Sequence, residues 1–133
     1  MNTVFADTSF YVALWVPSDR MHPVAAEFSN ESSARLVVTE YVLVELGNFL
    51  SRSCSRASFP GLVRSLQRDP DTAVIPASRR LLDAGLHLYE NRSDKEWSLT
   101  DCISFVVMKE QGLTEALTTD HHFEQSGFKA LLK

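Results

Sequence analysis

The sequence lacks the features of a secreted or membrane-spanning protein. It contains only two cysteines, Cys54 and Cys102, and they form no C-x-x-C pair. The longest apolar runs, residues 10–17 and 102–108, are much shorter than the roughly 20 residues that cross a bilayer. The first residues, MNTVFAD, contain no basic segment followed by an apolar block, as a secretory signal would. We therefore expect free thiols rather than a disulfide, no membrane association and a cytoplasmic location.

Internal repeats and interdomain linkers are also lacking. The length of 133 residues suits one domain and leaves little room for a second. Apolar residues make up 44% of the chain and charged residues 23%, which are ordinary values for a globular protein. We expect a single domain over residues 1–133.

Positive charge is in the minority, and the formal net charge is −4. This overall balance argues against a polyanionic partner, but the distribution of charge does not. Between residues 50 and 80 the only acids are Asp69 and Asp71. The same segment contains six of the thirteen basic residues, namely Arg52, Arg56, Arg64, Arg68, Arg79 and Arg80. Such a segment is compatible with a phosphate-binding flank beside an acidic site, or with a set of solvated helix faces.

Short β-favouring runs alternate with helical patterns along the whole chain. The runs predict strands over 3–6, 36–38, 72–75, 115–118 and 128–132. The patterns predict helices over 10–16, 23–29, 40–52, 58–68, 79–92, 102–111 and 121–126. Strands that alternate with helices at these lengths favour right-handed crossovers and a parallel sheet.

Two features of the helical segments indicate how they pack. The segment 102–111 is apolar almost all the way round, which predicts a central, buried helix ended by Gly112. Gly85 lies in the middle of the apolar stripe of the preceding helix. We expect another backbone to approach closely at Gly85.

Four carboxylates stand in apolar surroundings in the sequence. They are Asp7 in VFADTSF, Glu45 in VLVELGNFL, Asp101 in SLTDCISFVVM and Asp120 in ALTTDHHF. A carboxylate among valine, leucine and phenylalanine loses hydration and needs a partner or a metal. Asp7 and Asp120 follow predicted strands, and sites in parallel sheets form beyond the carboxyl ends of strands. Glu45 and Asp101 lie on helices that could point toward the same edge.

A cluster of four carboxylates would need a cation to offset its mutual repulsion. With no histidine or cysteine at ligand spacing, such a cluster suits Mg²⁺ or Mn²⁺ rather than zinc. A cation of this kind activates water and neutralises charge on a phosphodiester. The pattern therefore predicts a metal-dependent hydrolase.

Each acid also has an ordinary structural explanation, which the sequence leaves open. Asp7 could cap the first helix, and Asp120 could close a turn. Ser98-x-x-Asp101 matches a capping box. Glu45 could pair with Arg52 at the helix surface.

Other polar residues are weaker candidates. Thr8 and Ser9 could hydrogen-bond a ligand or cap a helix, and Asn48 could reach the same pocket or be exposed. We expect the adjacent residues His121 and His122 to point to different sides, so neither is predicted as a ligand. Asp94, in the loop segment SDKEW, is expected to be solvated.

Taken together, the four motifs resemble the PIN-domain ribonucleases, particularly the small VapC-type toxins of toxin–antitoxin modules. The similarity extends from about residue 3 to the carboxyl terminus, with FADTSF, VLVELGN, SLTDCISFVVM and LTTDHHFEQSGF in the order that this family shows. In many relatives a second acid follows the last aspartate by two residues. In this chain that position is His122.

The resemblance implies a three-layer α/β/α sandwich with a central parallel sheet. It implies an endoribonuclease whose acidic pocket binds Mg²⁺ or Mn²⁺. Asp7, Glu45 and Asp101 match the metal-binding core of the family, and Asp120 matches its last acid. The implied partners are an RNA substrate, a second copy of the chain in a homodimer, and a cognate antitoxin that inhibits the nuclease.

Other classes remain as alternatives. A catalytically inactive PIN-like module could bind RNA or a protein, although the presence of all four acids argues against a dead site. Phosphatases of the haloacid dehalogenase type need an aspartate where this chain has Ser9, and a receiver domain needs an acidic pair and a late lysine that are not found. A purely structural α/β domain is the last alternative.

Overall fold

The computed structural model describes residues 2–133, which form five strands and seven helices. The strands are β1 (Thr3–Ala6), β2 (Arg35–Thr39), β3 (Thr72–Ile75), β4 (Glu115–Leu117) and β5 (Lys129–Ala130). The helices are α1 (Thr8–Trp15), α2 (His22–Glu31), α3 (Glu40–Leu50), α4 (Phe59–Arg68), α5 (Arg79–Asn91), α6 (Leu99–Glu110) and α7 (His121–Gln125). Every predicted element is present, and the differences are confined to element ends. The largest is at α6, which begins at Leu99 instead of residue 102, and β5 ends at Ala130 instead of continuing as a strand to residue 132.

All five strands are parallel, in the order β3-β2-β1-β4-β5. β1 is central, with Val4 paired to Leu36 of β2 and Phe5 paired to Ala116 of β4. Helices cover both faces of the sheet, which confirms the predicted α/β/α sandwich. Because β1 and β4 are neighbours, the residues that follow them meet at one edge of the sheet.

Helix α6 is the most buried helix, as its sequence predicts. Its buried residues are Asp101, Cys102, Ile103, Ser104, Phe105, Val107 and Met108. The Phe105 ring lies 4.9 Å from that of Phe123 and 5.0 Å from that of Trp97, both edge to face. This aromatic packing joins α6 to α7 and places the amino-terminal turn of α6 near the chain that follows β4.

The two glycine predictions are confirmed. A Cβ atom at Gly85 would lie 2.3 Å from Cγ1 of Ile103 and 3.4 Å from its backbone nitrogen, so α5 approaches α6 as closely as glycine permits. Gly112 follows α6 with φ at +68°, a conformation that glycine adopts without strain.

The free state of both thiols agrees with the sequence. Cys54 is exposed, Cys102 is buried, and both are free. Among residues 2–133, no helix combines the length and the apolar character that crossing a bilayer requires.

Candidate active site

A cleft of about 780 Å³ opens at the carboxyl edge of the sheet. All four predicted acids line it: Asp7, Glu45, Asp101 and Asp120. They come from four separate parts of the fold, because Asp7 follows β1, Glu45 lies in α3, Asp101 in the first turn of α6, and Asp120 precedes α7. The structure therefore brings these side chains together.

Asp7 is the most deeply placed of the four acids, with 5% of its surface exposed. It occupies the amino-terminal cap position of α1, yet its side chain makes no capping hydrogen bond. Its Oδ2 instead accepts hydrogen bonds from Thr118 Oγ1 at 2.8 Å and from Ser9 Oγ at 3.2 Å. Asp7 thus takes the cap position of α1 through its backbone, while its side chain is held by Thr118 and Ser9 and does not cap the helix.

The electrostatic surroundings of Asp7 disfavour its charge. Burial raises its pKa to about 7, and the negative charges of Asp101 and Glu45 act in the same direction. The hydrogen bond from Thr118 opposes this rise without cancelling it. A cation in the cleft would offset the unfavourable charge.

Glu45 is held in the cleft by the residue next to Asp7. Its Oε1 accepts a hydrogen bond from Thr8 Oγ1 at 2.5 Å. Among residues 2–133, Glu45 and Arg52 form no ion pair. The surface pairing that the sequence allowed is therefore wrong, because the helix turns Glu45 toward α1.

Asp101 has the structural role that the sequence allowed, and it also lines the cleft. It forms the capping box of α6, in which its backbone nitrogen donates to Ser98 Oγ at 3.0 Å and its Oδ2 accepts from Ser98 N at 3.2 Å. Burial raises the pKa of Asp101, and the charge of Asp120 adds to the rise. The bond from Ser98 and the proximity of His122 lower it in part.

Asp120 likewise has two roles. It caps α7, where its Oδ1 accepts from the backbone nitrogen of His122 at 2.9 Å, so the predicted turn-closing role is confirmed. Its side chain also faces the cleft. A capping role for Asp101 and Asp120 thus does not remove them from the site.

Thr118 is a site residue that the sequence reasoning missed. It is fully buried at the end of β4 and donates to Asp7. Its Oγ1 also lies 3.2 Å from Ser9 Oγ and accepts from the backbone nitrogen of Asp120 at 3.0 Å. A threonine at the end of the predicted strand 115–118 and two residues before an acid was the available signal. Ser9, which the sequence did offer as a ligand-binding hydroxyl, belongs to the same network.

The two histidines do not point to different sides, and that expectation is wrong. Their ring centroids lie 4.4 Å apart. His122 Nδ1 is 3.2 Å from Asp101 Oδ2 and 3.4 Å from Asp120 Oδ1, while His121 Nδ1 is 3.6 Å from Asp120 Oδ1. The reason is that both residues open a short helix, where side chains lean toward the amino terminus and hence toward the capping aspartate. Asp120, His121 and His122 form a group able to hold a metal ion.

The basic residues around the cleft also differ from expectation. Within the described chain, none of the six arginines between residues 50 and 80 lines it. Arg56 borders a separate apolar groove between α3 and α4, and Arg80 pairs with Glu110 at 2.7 Å. The arginine that does line the cleft is Arg20, which follows α1 and is exposed. No motif or charge pattern in the sequence had singled out Arg20.

Two further candidates lie outside the cleft. Asn48 is exposed and borders the apolar groove instead. Asp94 is exposed, as predicted, and accepts from Arg92 Nε at 3.0 Å.

The fold and the cleft together define a class of protein: a parallel α/β/α sandwich with an acidic pocket at the carboxyl edge of its sheet. A model of the PIN domain family matches residues 4–129, and the chain belongs to this family. The resemblance inferred from the four motifs is thereby confirmed.

Individual relatives agree with this assignment. The chain is 27% identical over 129 residues to the 23S rRNA-specific endonuclease VapC20 of Mycobacterium tuberculosis, covering 94% of this chain and 95% of that protein. The crystal structure of VapC20, described as a sarcin–ricin loop cleaving toxin, matches with a TM-score of 0.83 at 25% identity and the same coverage.

Two more distant structures share the fold. VapBC2 from Rickettsia felis matches with a TM-score of 0.65 at 11% identity, covering 96% of each chain. FitAcB from Neisseria gonorrhoeae matches with a TM-score of 0.63 at 16% identity, covering 96% of this chain and 94% of that one. At these identities the likeness concerns the fold alone.

PIN nucleases depend on divalent metal ions, and the residues in the cleft fit such an ion. Oxygen donors from four elements converge there, and the pKa of Asp7 is raised to about 7 by burial and by its acidic neighbours. This is the electrostatic situation that a bound cation relieves.

Proposed function

We propose that the protein is a metal-dependent endoribonuclease and the toxin of a type II toxin–antitoxin system. The observation that carries the proposal is the convergence of Asp7, Glu45, Asp101 and Asp120 in one cleft of a PIN domain. The relationship to VapC20, a 23S rRNA-specific endonuclease, over 94% of the chain supports an RNA substrate. The four acids are the proposed metal ligands and catalytic residues.

Mg²⁺ or Mn²⁺ is the proposed cofactor, because oxygen donors predominate in the cleft. When bound, the cation neutralises negative charge on the phosphodiester and acidifies the attacking water. The chain's own residues position the acids. Thr118 and Ser9 hold Asp7 by hydrogen bonds, and Thr8 holds Glu45.

RNA contacts are proposed at the rim of the cleft. Arg20 provides a positive charge there that can contact a phosphate and fix the position of the strand. Phe49 lines the same cleft and is 61% exposed, so its ring is available to stack on an unpaired base. Both features suit a single-stranded or loop segment of RNA better than a regular duplex. Ribosomal RNA is the first substrate to test, given the activity for which VapC20 is named.

The proposed partners are a cognate antitoxin and a second copy of the chain, in a cytoplasmic setting. VapC20 is described as a toxin, and a toxin of this kind needs an inhibitor. Co-purification with the product of an adjacent short reading frame would test the antitoxin. Light scattering of the isolated protein would test the dimer.

The central experiment is cleavage of total RNA and of purified ribosomal RNA with Mg²⁺ or Mn²⁺, with and without a chelator. We expect wild-type protein to cut only when the cation is present, and Asp7→Asn and Asp101→Asn protein to lose cleavage. Circular dichroism would establish that the variants are folded. If a folded Asp7→Asn protein cut RNA at the wild-type rate, this function would be wrong.

A further inference from the structure

His122 is placed among the proposed metal ligands, although the sequence pattern made it an unlikely ligand. Its ring belongs to the first turn of α7, and its Nδ1 faces the carboxylates of Asp101 and Asp120 at 3.2 and 3.4 Å. The His122 side chain is only 18% exposed, and that of Asp101 only 11%. His122 therefore lies within contact distance of both carboxylates in the cleft.

We propose that His122 Nδ1 is a metal ligand and that, with Asp101 and Asp120, it forms a mixed nitrogen and oxygen site for a divalent transition-metal ion such as Mn²⁺. The inference deepens the proposed function and rests on it, because Asp101 and Asp120 belong to both. It gives the cleft two unlike halves. Asp7 and Glu45 provide oxygen alone, and the half around Asp120 also provides nitrogen.

The distances between the donor atoms support a shared ion. Ligands at about 2.1 Å from an octahedral ion are about 3 Å apart when adjacent. In tetrahedral coordination at a similar bond length they are about 3.4 Å apart. The separations of His122 Nδ1 from the two carboxylate oxygens lie close to this range. At each of these two separations, His122 Nδ1 and a carboxylate oxygen are spaced as two ligands of one ion.

A simple hydrogen bond from His122 to Asp101 is the competing explanation. Nδ1 carries at most one proton, yet two carboxylate oxygens lie within 3.4 Å of it. Asp101 Oδ2 already accepts from Ser98 N, and Asp120 Oδ1 already accepts from His122 N. These contacts alone do not show whether His122 Nδ1 donates a proton to a carboxylate or binds a metal ion. A metal-binding experiment distinguishes the two roles, because a ligand nitrogen must present its lone pair to the ion.

The neighbouring His121 provides a matched control. Its side chain is 62% exposed, and its Nδ1 is 3.6 Å from Asp120 Oδ1. Like His122, it lies in the first turn of α7. Within residues 2–133 it forms no ion pair with Asp101. His121 belongs with Asp120 and His122 to the group whose donor atoms lie within 4.8 Å of one another, but its exposure and its distance from Asp120 distinguish it from His122. We therefore assign the ligand role to His122 and use His121 as the control.

A nitrogen ligand has a consequence for metal preference. Imidazole binds Mn²⁺ and the later transition metals more readily than it binds Mg²⁺, which prefers oxygen. We therefore expect replacement of His122 to weaken Mn²⁺ binding more than Mg²⁺ binding. His122→Asp should shift the preference toward Mg²⁺, since it supplies oxygen in place of nitrogen.

The decisive measurement is pulsed electron paramagnetic resonance of Mn²⁺ bound to the intact protein, which detects magnetic coupling to a ligand ¹⁴N nucleus. We expect the coupling in wild-type and His121→Ala protein and its loss in His122→Ala and His122→Asp protein. Calorimetric titration should show the Kd for Mn²⁺ rising about tenfold or more in His122→Ala, and less for Mg²⁺. Neither readout depends on RNA cleavage, and His122→Asp remains informative if His122→Ala fails to fold.

The outcomes separate this inference from the proposed function. If wild-type protein binds Mn²⁺ without ¹⁴N coupling, or if the coupling survives in His122→Asp, the ligand role of His122 is wrong while a carboxylate site stands. Loss of the coupling in His121→Ala alone would also overturn the assignment. If the wild-type protein binds neither Mn²⁺ nor Mg²⁺, both the inference and the metal dependence of the proposed nuclease are wrong.

Discussion

The two halves of the cleft hold their acids in different ways. Asp7 and Glu45 are held by neutral hydroxyl donors, from Thr118, Ser9 and Thr8. Asp101 and Asp120, on the other side, cap helices and face an imidazole, so they have structural partners of their own.

The difference shows in which half of the cleft the charged form of a carboxylate is less favourable. A hydroxyl fixes a carboxylate in position but brings no opposite charge, so burial raises the pKa of Asp7 to about 7. The backbone bond and the imidazole at Asp101 lower its pKa against the effect of burial. We expect the Asp7 half to be the one that most needs a cation, and four predictions test this contrast.

The largest expected effect follows removal of the charge at Asp7. Asp7→Asn should reduce metal-dependent RNA cleavage by about 100-fold or more, since it deletes a buried metal ligand. The exposed acid Asp94, which pairs with Arg92, gives a matched control, and Asp94→Asn should cut RNA at nearly the wild-type rate. Initial rates on ribosomal RNA provide the comparison. Equal losses in the two variants would contradict a special role for Asp7.

The second prediction concerns the stability of the metal-free protein as pH changes. The pKa of Asp7 is 3.8 as an ordinary carboxyl and about 7 in the fold, so between these values the folded protein keeps a proton that the unfolded chain loses. Stability should therefore fall as pH rises from about 4 to 7. At about 1.4 kcal/mol for each pKa unit, the loss is about 4 kcal/mol. Asp101, whose pKa is also raised, contributes in the same direction.

Urea unfolding in the presence of a chelator at several pH values would measure this effect. Asp7→Asn should unfold at higher urea than wild type at pH 7 and at nearly the same urea at pH 4. Added Mn²⁺ should stabilise wild type at pH 7 by mass action. If the stability of the wild type rose from pH 4 to 7 in parallel with that of Asp7→Asn, burial of the charged Asp7 carboxylate would not destabilise the fold.

The third prediction addresses the hydroxyl that supports Asp7. Thr118→Val removes the donor from a fully buried position while keeping nearly the same shape. The pKa of Asp7 should rise further because the bond from Thr118 lowers it, and cleavage at neutral pH should fall about tenfold. Thr114→Val, at an exposed position, is the control. If raising the pH above 8 restores none of the lost rate, the effect of Thr118 does not act through the charge of Asp7.

The smallest expected effect is at the rim. Arg20→Ala should raise KM for RNA severalfold with little change in kcat, and it should make binding less sensitive to salt because one phosphate contact is lost. Arg64→Ala, an exposed substitution on α4 away from the cleft, should leave KM unchanged. KM measured at two salt concentrations would test both variants. If Arg64→Ala raised KM more than Arg20→Ala did, the arginine-rich segment between residues 50 and 80 would be the part that binds RNA.

Much of the fold was predictable because the deciding interactions are local. The capping box between Ser98 and Asp101 spans three residues, and it was visible in the sequence and is present in the structure. The buried character of α6 followed from its composition in the same way. A local structural role did not exclude a functional one, however, because Asp101 both caps α6 and lines the cleft.

The parts of the site that sequence reasoning missed depend on distant pairings. Thr118 donates to Asp7 across 111 residues, and only the adjacency of β1 and β4 brings the two together. Arg20 replaces the six expected arginines at the cleft because the turn after α1 lies at the carboxyl edge, whereas α4 borders a separate groove. Neither contact can be read from a short segment of the sequence.

The sequence by itself determined the elements, their alternation into a parallel sheet and the four acids, because periodicity, capping and strand ends act over a few residues. Only the tertiary structure decided how those acids are held and what else joins them. His122 shows the reason most directly. Its ring reaches Asp101, 21 residues earlier, because the packing of α7 against α6 sets which way the first turn of α7 faces.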